Sequence, residues 1–108
     1  MTADGGIEIR PGSRWGSSVC ETQIVIVRAP SDPIDLRCGG APMVAVDPGA
    51  TPAGEPAAGF DEGTAVGKRY ADEATGLEVL CTRGGRGSLA IGEALLVVPE
   101  PRQLPSSD

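Results

Sequence analysis

The sequence predicts a mostly β protein in which two tandem short-hairpin units pack as a pseudo-twofold structure. Two observations carry this prediction. Sixteen glycines and ten prolines interrupt the chain of 108 residues too often for long helices, and the apolar residues gather in short runs rich in Val, Ile and Leu. In addition, the order of aromatic residue, turn and apolar strand in the first half of the chain returns in the second half.

The first β unit is expected over residues 12–46. Its apolar run, residues 24–27, is followed by a Pro-rich turn at residues 30–33 and then by an alternating strand at residues 34–38. The Gly-Gly pair that comes next favours a tight bend. This order predicts a strand, a turn and a second strand.

The second β unit is expected over residues 67–98. An apolar strand at residues 77–82 leads into the glycine-rich residues 84–87, and residues 88–91 alternate as a returning strand. Because no helix follows the glycines, they favour a hairpin turn over a phosphate-binding loop.

Three segments are predicted to lie outside the two units. Residues 1–11 offer little to pack and are expected to form a flexible leader. Residues 47–66 are rich in Pro, Gly and Ala and are typical of a linker. Residues 99–108 form a Pro-rich tail that favours neither strand nor helix.

The repeat rests on an alignment of residues 24–43 with residues 77–96. Without a gap, this alignment pairs Ile24 with Leu77, Leu36 with Leu89, and Gly39 with Gly92. Upstream, Trp15 matches Tyr70 if the second unit is two residues shorter between the aromatic residue and the apolar strand. The identities are few, and two unrelated hairpins can show the same order, so that alternative stays open.

Composition excludes several classes of partner. A formal net charge of -6 and an aromatic content of 3% argue against nucleic acid, because phosphates would be repelled and bases would find few rings to stack on. No run approaches the roughly 20 apolar residues that a membrane helix needs, and the N-terminus is not of the signal-sequence type. A cytoplasmic location and no membrane partner are therefore expected.

An aromatic residue, a cysteine-bearing turn and a closing motif follow one another in the first unit. Trp15 precedes Ser17 and Cys20, and residues 36–43 read Leu-Arg-Cys-Gly-Gly-Ala-Pro-Met. This order resembles desulforedoxin and the N-terminal domain of desulfoferrodoxin, in which Cys-x-x-Cys-Gly follows an aromatic residue and Cys-Cys-Gly-x-Pro-Met closes a strand. The resemblance implies that Cys20 and Cys38 are neighbours.

The second unit resembles the same family more faintly. Tyr70 stands at the aromatic position, and residues 72–76 stand where Cys-x-x-Cys-Gly would be. Ile91 and Gly92 replace the closing cysteines. Since desulforedoxin is a dimer of such units, a tandem chain is expected to form the corresponding arrangement within itself.

The family binds iron or zinc through four thiolates, and this chain keeps two of them. By the resemblance, Ser17 and Gly39 occupy the two missing ligand positions, and the sequence has no His to replace them. A complete four-thiolate centre in one chain is therefore nearly excluded. What remains is a degenerate metal site of Cys20 and Cys38, with Ser17 as the weakest candidate ligand.

Three interpretations of Cys20 and Cys38 stay open at this point. They are buried free thiols, a disulfide or redox pair, or two ligands of a zinc ion shared between two chains. A buried cysteine behaves as a small hydrophobic residue, and this interpretation also suits Cys81, which falls inside a predicted strand.

The function expected from the sequence is that of a small non-catalytic binding or accessory protein that contacts a larger protein or enzyme. The alternative is a metal-binding protein, with zinc or iron, or a thiol-redox protein acting through Cys20 and Cys38. A small-molecule carrier is a third and weaker hypothesis, and a homodimer is open. No His and no serine nucleophile motif are present, and Asp72 and Glu73 lie in a polar turn, so neither catalytic residues nor a cofactor is predicted.

Overall fold

The computed structural model of the chain describes residues 9–46 and 52–98. Most of the leader predicted at residues 1–11, the start of the predicted linker and the whole Pro-rich tail lie outside these described residues. Within the described ranges the chain forms nine strands and no helix, which confirms the mostly β fold class.

Short strands with alternating burial account for the fold. Residues 9–46 contribute β1 (Arg14–Gly16), β2 (Gln23–Arg28), β3 (Leu36–Cys38), β4 (Ala41–Pro42) and β5 (Val44–Ala45). Residues 52–98 contribute β6 (Arg69–Asp72), β7 (Leu77–Arg83), β8 (Leu89–Ile91) and β9 (Ala94–Leu95). In β7, Leu77, Val79 and Cys81 are buried and alternate with more exposed residues, as expected for a strand with one face on a core.

These strands form two antiparallel sheets. The first has the order β5-β1-β2-β7-β6, and the second has the order β4-β3-β8-β9. At the centre of each sheet, a strand from the first half of the chain pairs with one from the second half: β2 with β7, and β3 with β8. Neither half therefore has a complete sheet of its own.

The connections from β2 to β3 and from β7 to β8 cross from one sheet to the other. The prediction of hairpin turns at these two places is wrong. The physical reason is burial: Ile24 and Ile26 of β2 and Leu36 and Cys38 of β3 all belong to one core cluster. Because each strand must bury a face in that core, two sheets with the core between them satisfy both strands better than one hairpin.

The aromatic residues lie in the two hairpins that the chain does form, β1 with β2 and β6 with β7. Trp15 lies opposite Ile24, and Tyr70 lies opposite Val79, at the same separation along the chain. The sequence alignment had instead matched Ile24 with Leu77. The second half is shorter than the first by two residues. These two residues are therefore missing from its crossover connection, β7 to β8, and not from the segment between the aromatic residue and the strand.

The described part of the predicted linker, residues 52–66, contacts both halves of the molecule. The backbone N–H of Ala57 donates to the Gly39 carbonyl at 2.8 Å, and the Phe60 carbonyl accepts a hydrogen bond from Ser88 at 2.8 Å. Gly39 comes directly after Cys38, and Ser88 lies in the connection between β7 and β8.

The described residues, 9–46 and 52–98, include no helix of the length and apolar character needed to cross a membrane.

Candidate thiol site

The loop between β1 and β2, residues 17–22, positions Cys20; we call it the thiol loop. The Ser17 hydroxyl oxygen accepts hydrogen bonds from the backbone N–H of Val19 at 3.0 Å and of Cys20 at 3.1 Å. The Ser17 N–H donates to the Thr22 carbonyl at 2.9 Å. Serine side chains commonly close tight loops in this way, and here the closure directs Cys20 into the protein.

Cys38 reaches the same place from the other sheet. It is the last residue of β3, where it lies opposite Leu89 of β8 and Ala41 of β4. Its side chain has no exposed surface. Gly39 follows with φ of +68°, a left-handed conformation that glycine adopts without strain, so the chain turns away directly after the cysteine.

The structure brings Cys20 and Cys38 together. Their Sγ atoms lie 3.9 Å apart, and both thiols are free. The Thr22 side chain, which is fully buried, lies 3.3 Å from the Cys20 sulfur through its hydroxyl oxygen. The sequence predicted three site residues. Cys20 and Cys38 form the pair, and Ser17 lies beside it.

Residues 84–88, the crossover from β7 to β8, cover the two sulfurs; we call them the covering loop. The Gly87 N–H donates to Cys20 Sγ at 3.3 Å. A Cβ atom at Gly87 would lie 3.0 Å from Cys38 Sγ and 2.9 Å from the Gly39 nitrogen. A Cβ at Gly85 would lie 2.5 Å from the Thr22 hydroxyl oxygen. No side chain fits at either glycine, because the loop backbone touches the site directly.

Thr64 holds the covering loop in place. Its backbone exchanges two hydrogen bonds with Gly85, at 2.9 and 3.1 Å, and its hydroxyl donates to the Gly87 carbonyl. Sequence reasoning missed Thr22, Thr64, Gly85 and Gly87. The pattern Gly-x-Gly at residues 85–87 was the only local signal, and it equally suits an exposed turn.

The two thiols of the pair have different acidities. Burial raises the pKa of Cys20, but hydrogen bonds from Ser17, Thr22 and the Gly87 amide to the thiolate outweigh it and lower the pKa from 9.0 to about 7. Burial, joined by repulsion from the Cys20 thiolate, raises the pKa of Cys38 to about 12. Cys20 is therefore the more acidic thiol of the pair, and Cys38 stays protonated near neutral pH.

A cavity of about 370 Å³ borders the thiol loop. Its wall includes Ser17, Cys20 and Thr22 of the thiol loop, Val44 of β5, and Arg83 at the end of β7. Cys38 is not part of the wall. Cys20 is therefore the cysteine of the pair that lies on the cavity side.

Cys81 lies apart from the pair, in the core face of β7. Its thiol donates to the Arg83 carbonyl at 3.2 Å, and burial raises its pKa. The expectation that Cys81 packs in the core is confirmed by its exposure of 1%.

The four-thiolate metal centre of the desulforedoxin family does not fit this site. Gly39 stands where a fourth ligand would be needed, and a Cβ there would lie 2.7 Å from Val19 Cγ2 and 3.2 Å from the Pro56 Cα. Within residues 9–46 and 52–98, no three His, Cys, Asp or Glu side chains come together as ligands. Two thiolates and two hydroxyls are a poor donor set for tetrahedral zinc or iron.

The loop between β6 and β7 offers a comparison with the thiol loop; we call residues 72–77 the counterpart loop. The pair Ala71 and Glu78 closes it, as Gly16 and Gln23 close the thiol loop. Its first residue, Asp72, accepts a hydrogen bond from the backbone N–H of Thr75 at 3.1 Å through Oδ2.

The same hydrogen bond in the thiol loop joins Ser17 and Cys20, also at 3.1 Å. In the second half, Thr75 thus holds the place of Cys20. Ile91 ends β8 as Cys38 ends β3. The second half has the loop and the strand end, but neither thiol.

No family model, curated protein or solved structure matches the chain. The resemblance to desulforedoxin therefore stays a prediction from the sequence.

Proposed function

We propose that the chain works as a thiol–disulfide protein in which Cys20 and Cys38 cycle between a dithiol and a disulfide. The observation that carries this proposal is the separation of 3.9 Å between the sulfur atoms of Cys20, a residue that lines a cavity, and Cys38. A disulfide requires about 2.05 Å between sulfurs, so the pair is close without being bonded.

The reaction begins at Cys20. Its thiolate attacks one sulfur of a small disulfide that enters the cavity, a mixed disulfide forms, and one thiolate leaves. Cys38 then gives up its proton and attacks the Cys20 sulfur, releasing the second thiol. In sum, two protein thiols and one small disulfide become one protein disulfide and two small thiols, and two electrons leave the protein.

The surroundings of the two cysteines support this order of steps. Cys20 has the lower pKa and the contact with the cavity, whereas Cys38 is fully buried and has its pKa raised by burial. An attacking thiol with a pKa near the ambient pH reacts fastest. Cys38 therefore serves as the second, resolving thiol.

We further propose that the two halves are desulforedoxin-like units related by a pseudo-twofold axis, as the sequence predicts. Three pairs of hydrogen bonds support this, since each has the same partners in both halves. They are Met43 N–H to Leu36 O with Leu96 N–H to Leu89 O, Gly39 N–H to Ser88 O with Gly92 N–H to Asp35 O, and Gly12 N–H to Ile26 O with Gly67 N–H to Cys81 O.

The central strand pairs support the same axis. In β3 with β8, Leu36 lies opposite Ile91 and Cys38 lies opposite Leu89. The first residue of each strand thus faces the last residue of the other, so exchanging the two strands leaves the pairing unchanged. In β2 with β7, a bulge occurs on each side of the paired centre. On this proposal, the covering loop of the second unit closes the thiol site of the first.

The experiment is a count of free thiols in the reduced chain before and after incubation with oxidised glutathione. We expect the count to fall from three to one, with Cys81 left free and an intact mass lower by two hydrogens. A stable glutathione adduct on Cys20, or three thiols that stay free, would overturn the proposal. Peptide mapping identifies the bonded residues.

A second proposal keeps the accessory role expected from the sequence, with another protein as partner. Exposed apolar side chains support it, among them Leu95 at 43% in β9, the last strand of the second sheet, and Val97 at 57%, which pairs with Ala71 beside β6. The cytoplasm expected from the sequence would suit a dithiol, because glutathione keeps thiols reduced there. If light scattering gives twice the mass of one chain, the partner is a second copy of this chain instead.

A further inference from the structure

We propose that the reduced pair of Cys20 and Cys38 also binds one soft monovalent cation, Cu(I), between its two sulfur atoms. This inference uses the same thiols as the proposed disulfide but does not depend on their oxidation. It starts from the distance of 3.9 Å between the sulfurs. With metal–sulfur bonds of about 2.3 Å, two sulfurs lie roughly 3.8 Å apart around a tetrahedral ion and roughly 4.6 Å apart around a linear one.

The donor count decides which ion fits. Zinc and iron require four ligands in sites of this kind, and the described residues supply two sulfurs with no third His, Cys, Asp or Glu beside them. The Ser17 oxygen is occupied by two backbone N–H groups. Soft thiolates select Cu(I), for which two donors are a complete set. The sulfurs need to part by less than about 1 Å to hold it in a line.

The surroundings also suit the charge of the product. Two thiols and one Cu(I) ion give a bis-thiolate complex with one negative charge and release two protons to solvent. The Gly87 N–H, which already donates to Cys20 Sγ at 3.3 Å, stabilises negative charge on that sulfur. The Thr22 hydroxyl accepts from the Cys20 thiol at 3.3 Å, and its rotation lets it donate to the sulfur once the thiol has lost its proton.

Entry and protection follow from the two sides of the site. The cavity of about 370 Å³ is lined by Cys20 and not by Cys38, so an ion delivered from a carrier through it passes to Cys20 first. The covering loop closes the other side, where a Cβ at Gly87 would lie 3.0 Å from Cys38 Sγ. A bound ion would therefore be shielded from water on the Cys38 side and accessible on the Cys20 side.

The test is a titration of the reduced full chain with Cu(I) in oxygen-free buffer, in competition with the coloured chelator bicinchoninate. We expect the chain to withdraw one Cu(I) ion per molecule. Cys20→Ser and Cys38→Ser should each lose this stoichiometric binding, whereas Cys81→Ser, which changes a buried thiol outside the pair, should keep it. Zn(II) in the same buffer should stay with a coloured zinc chelator.

X-ray absorption on the wild-type complex checks the site without any variant, which matters because Cys38 is fully buried. We expect two sulfur neighbours around copper and no others. Four sulfurs, one copper per two chains, undiminished binding by Cys20→Ser, or equal capture of Zn(II) would each overturn the inference. A chain that forms the disulfide but binds no Cu(I) refutes only this inference, and the reverse result refutes only the disulfide.

Discussion

The thiol loop and the counterpart loop have the same backbone closure and different chemistry. In both, the first side chain accepts the N–H of the fourth residue at 3.1 Å, from Cys20 to Ser17 and from Thr75 to Asp72. Only the thiol loop faces a cysteine at the end of a strand in the other sheet. The difference teaches that this loop is a structural element in its own right, and that a pair of thiols also needs the partner sulfur from the other sheet.

The covering connections differ as well. The covering loop of the thiol site contains Gly85 and Gly87, whose missing side chains let the backbone touch Thr22 and the sulfurs. The equivalent connection between β2 and β3, residues 29–35, has no glycine. Close backbone approach is thus found where two thiols must be enclosed.

The largest expected effect comes from Gly85→Ala. Its Cβ would lie 2.5 Å from the Thr22 hydroxyl oxygen and 2.6 Å from the Thr22 nitrogen, and Thr22 is fully buried. We expect a loss of about 2 kcal/mol or more in the free energy of unfolding, as for other overpacked sites. Urea denaturation measures it. Gly16→Ala is the matched control, because its Cβ meets nothing closer than 3.7 Å; equal losses in both variants would remove the enclosing role of the covering loop.

The second prediction transfers the pair to the counterpart site with Thr75→Cys and Ile91→Cys together. If the two halves are related by the proposed pseudo-twofold axis, these positions are as close as Cys20 and Cys38, and oxidation should leave only Cys81 free. Thiol counting and peptide mapping decide. Thr75→Cys with Ala90→Cys is the control, since neighbouring strand residues face opposite sides. Two extra thiols that stay free in the first variant would break the comparison.

The third prediction concerns pH. The pKa of Cys20 falls from 9.0 to about 7 on folding, so its ionisation stabilises the folded chain as pH rises from 7 to 9, and this contribution is lost as pH falls through 7. The pKa of Cys38 rises to about 12, so its protonated thiol stabilises the fold below pH 9, and that contribution is lost as pH rises toward 12.

Urea denaturation of wild type and Cys20→Ala between pH 6 and 9 measures the first of these effects. We expect the difference between their unfolding free energies to grow as pH rises from 7 to 9. Cys81→Ala, whose thiol has a raised pKa, should show no such growth in this range. A constant difference for Cys20→Ala would mean that Cys20 is not the acidic thiol.

The smallest effect is expected from Ser17→Ala. This change removes a hydrogen bond to the Cys20 thiolate and the acceptor for two N–H groups, so the pKa of Cys20 should rise toward 9.0. If the rise is about one unit, alkylation of Cys20 by iodoacetamide at pH 7 slows by about fivefold, because the thiolate fraction falls from roughly half to a tenth. Asp72→Ala removes the equivalent closure in the counterpart loop and should leave the alkylation rate unchanged. A similar slowing in both variants would indicate a general loosening of the fold.

The sequence was sufficient for the fold class and for part of the site. Alternation in residues 77–82 predicted a strand with one buried face, and Cys81 lies on that face. The nearness of Cys20 and Cys38 came from the resemblance of residues 15–43 to a known order of motifs, and the sulfurs do lie 3.9 Å apart.

Only the tertiary structure decided how the strands are shared between two sheets and what encloses the thiols. Thr22 and Thr64 meet the covering loop across long stretches of chain, and their residue types are ordinary for turns. Local patterns record which face of a strand is apolar, because that depends on spacing along the chain. They do not record which strand covers that face, since the choice depends on how the whole core packs. The acidity of Cys20 combines both kinds of property: hydrogen bonds from Ser17 and Thr22 of its own loop lower its pKa against the effect of burial, and the Gly87 amide from the opposite half of the chain adds to them.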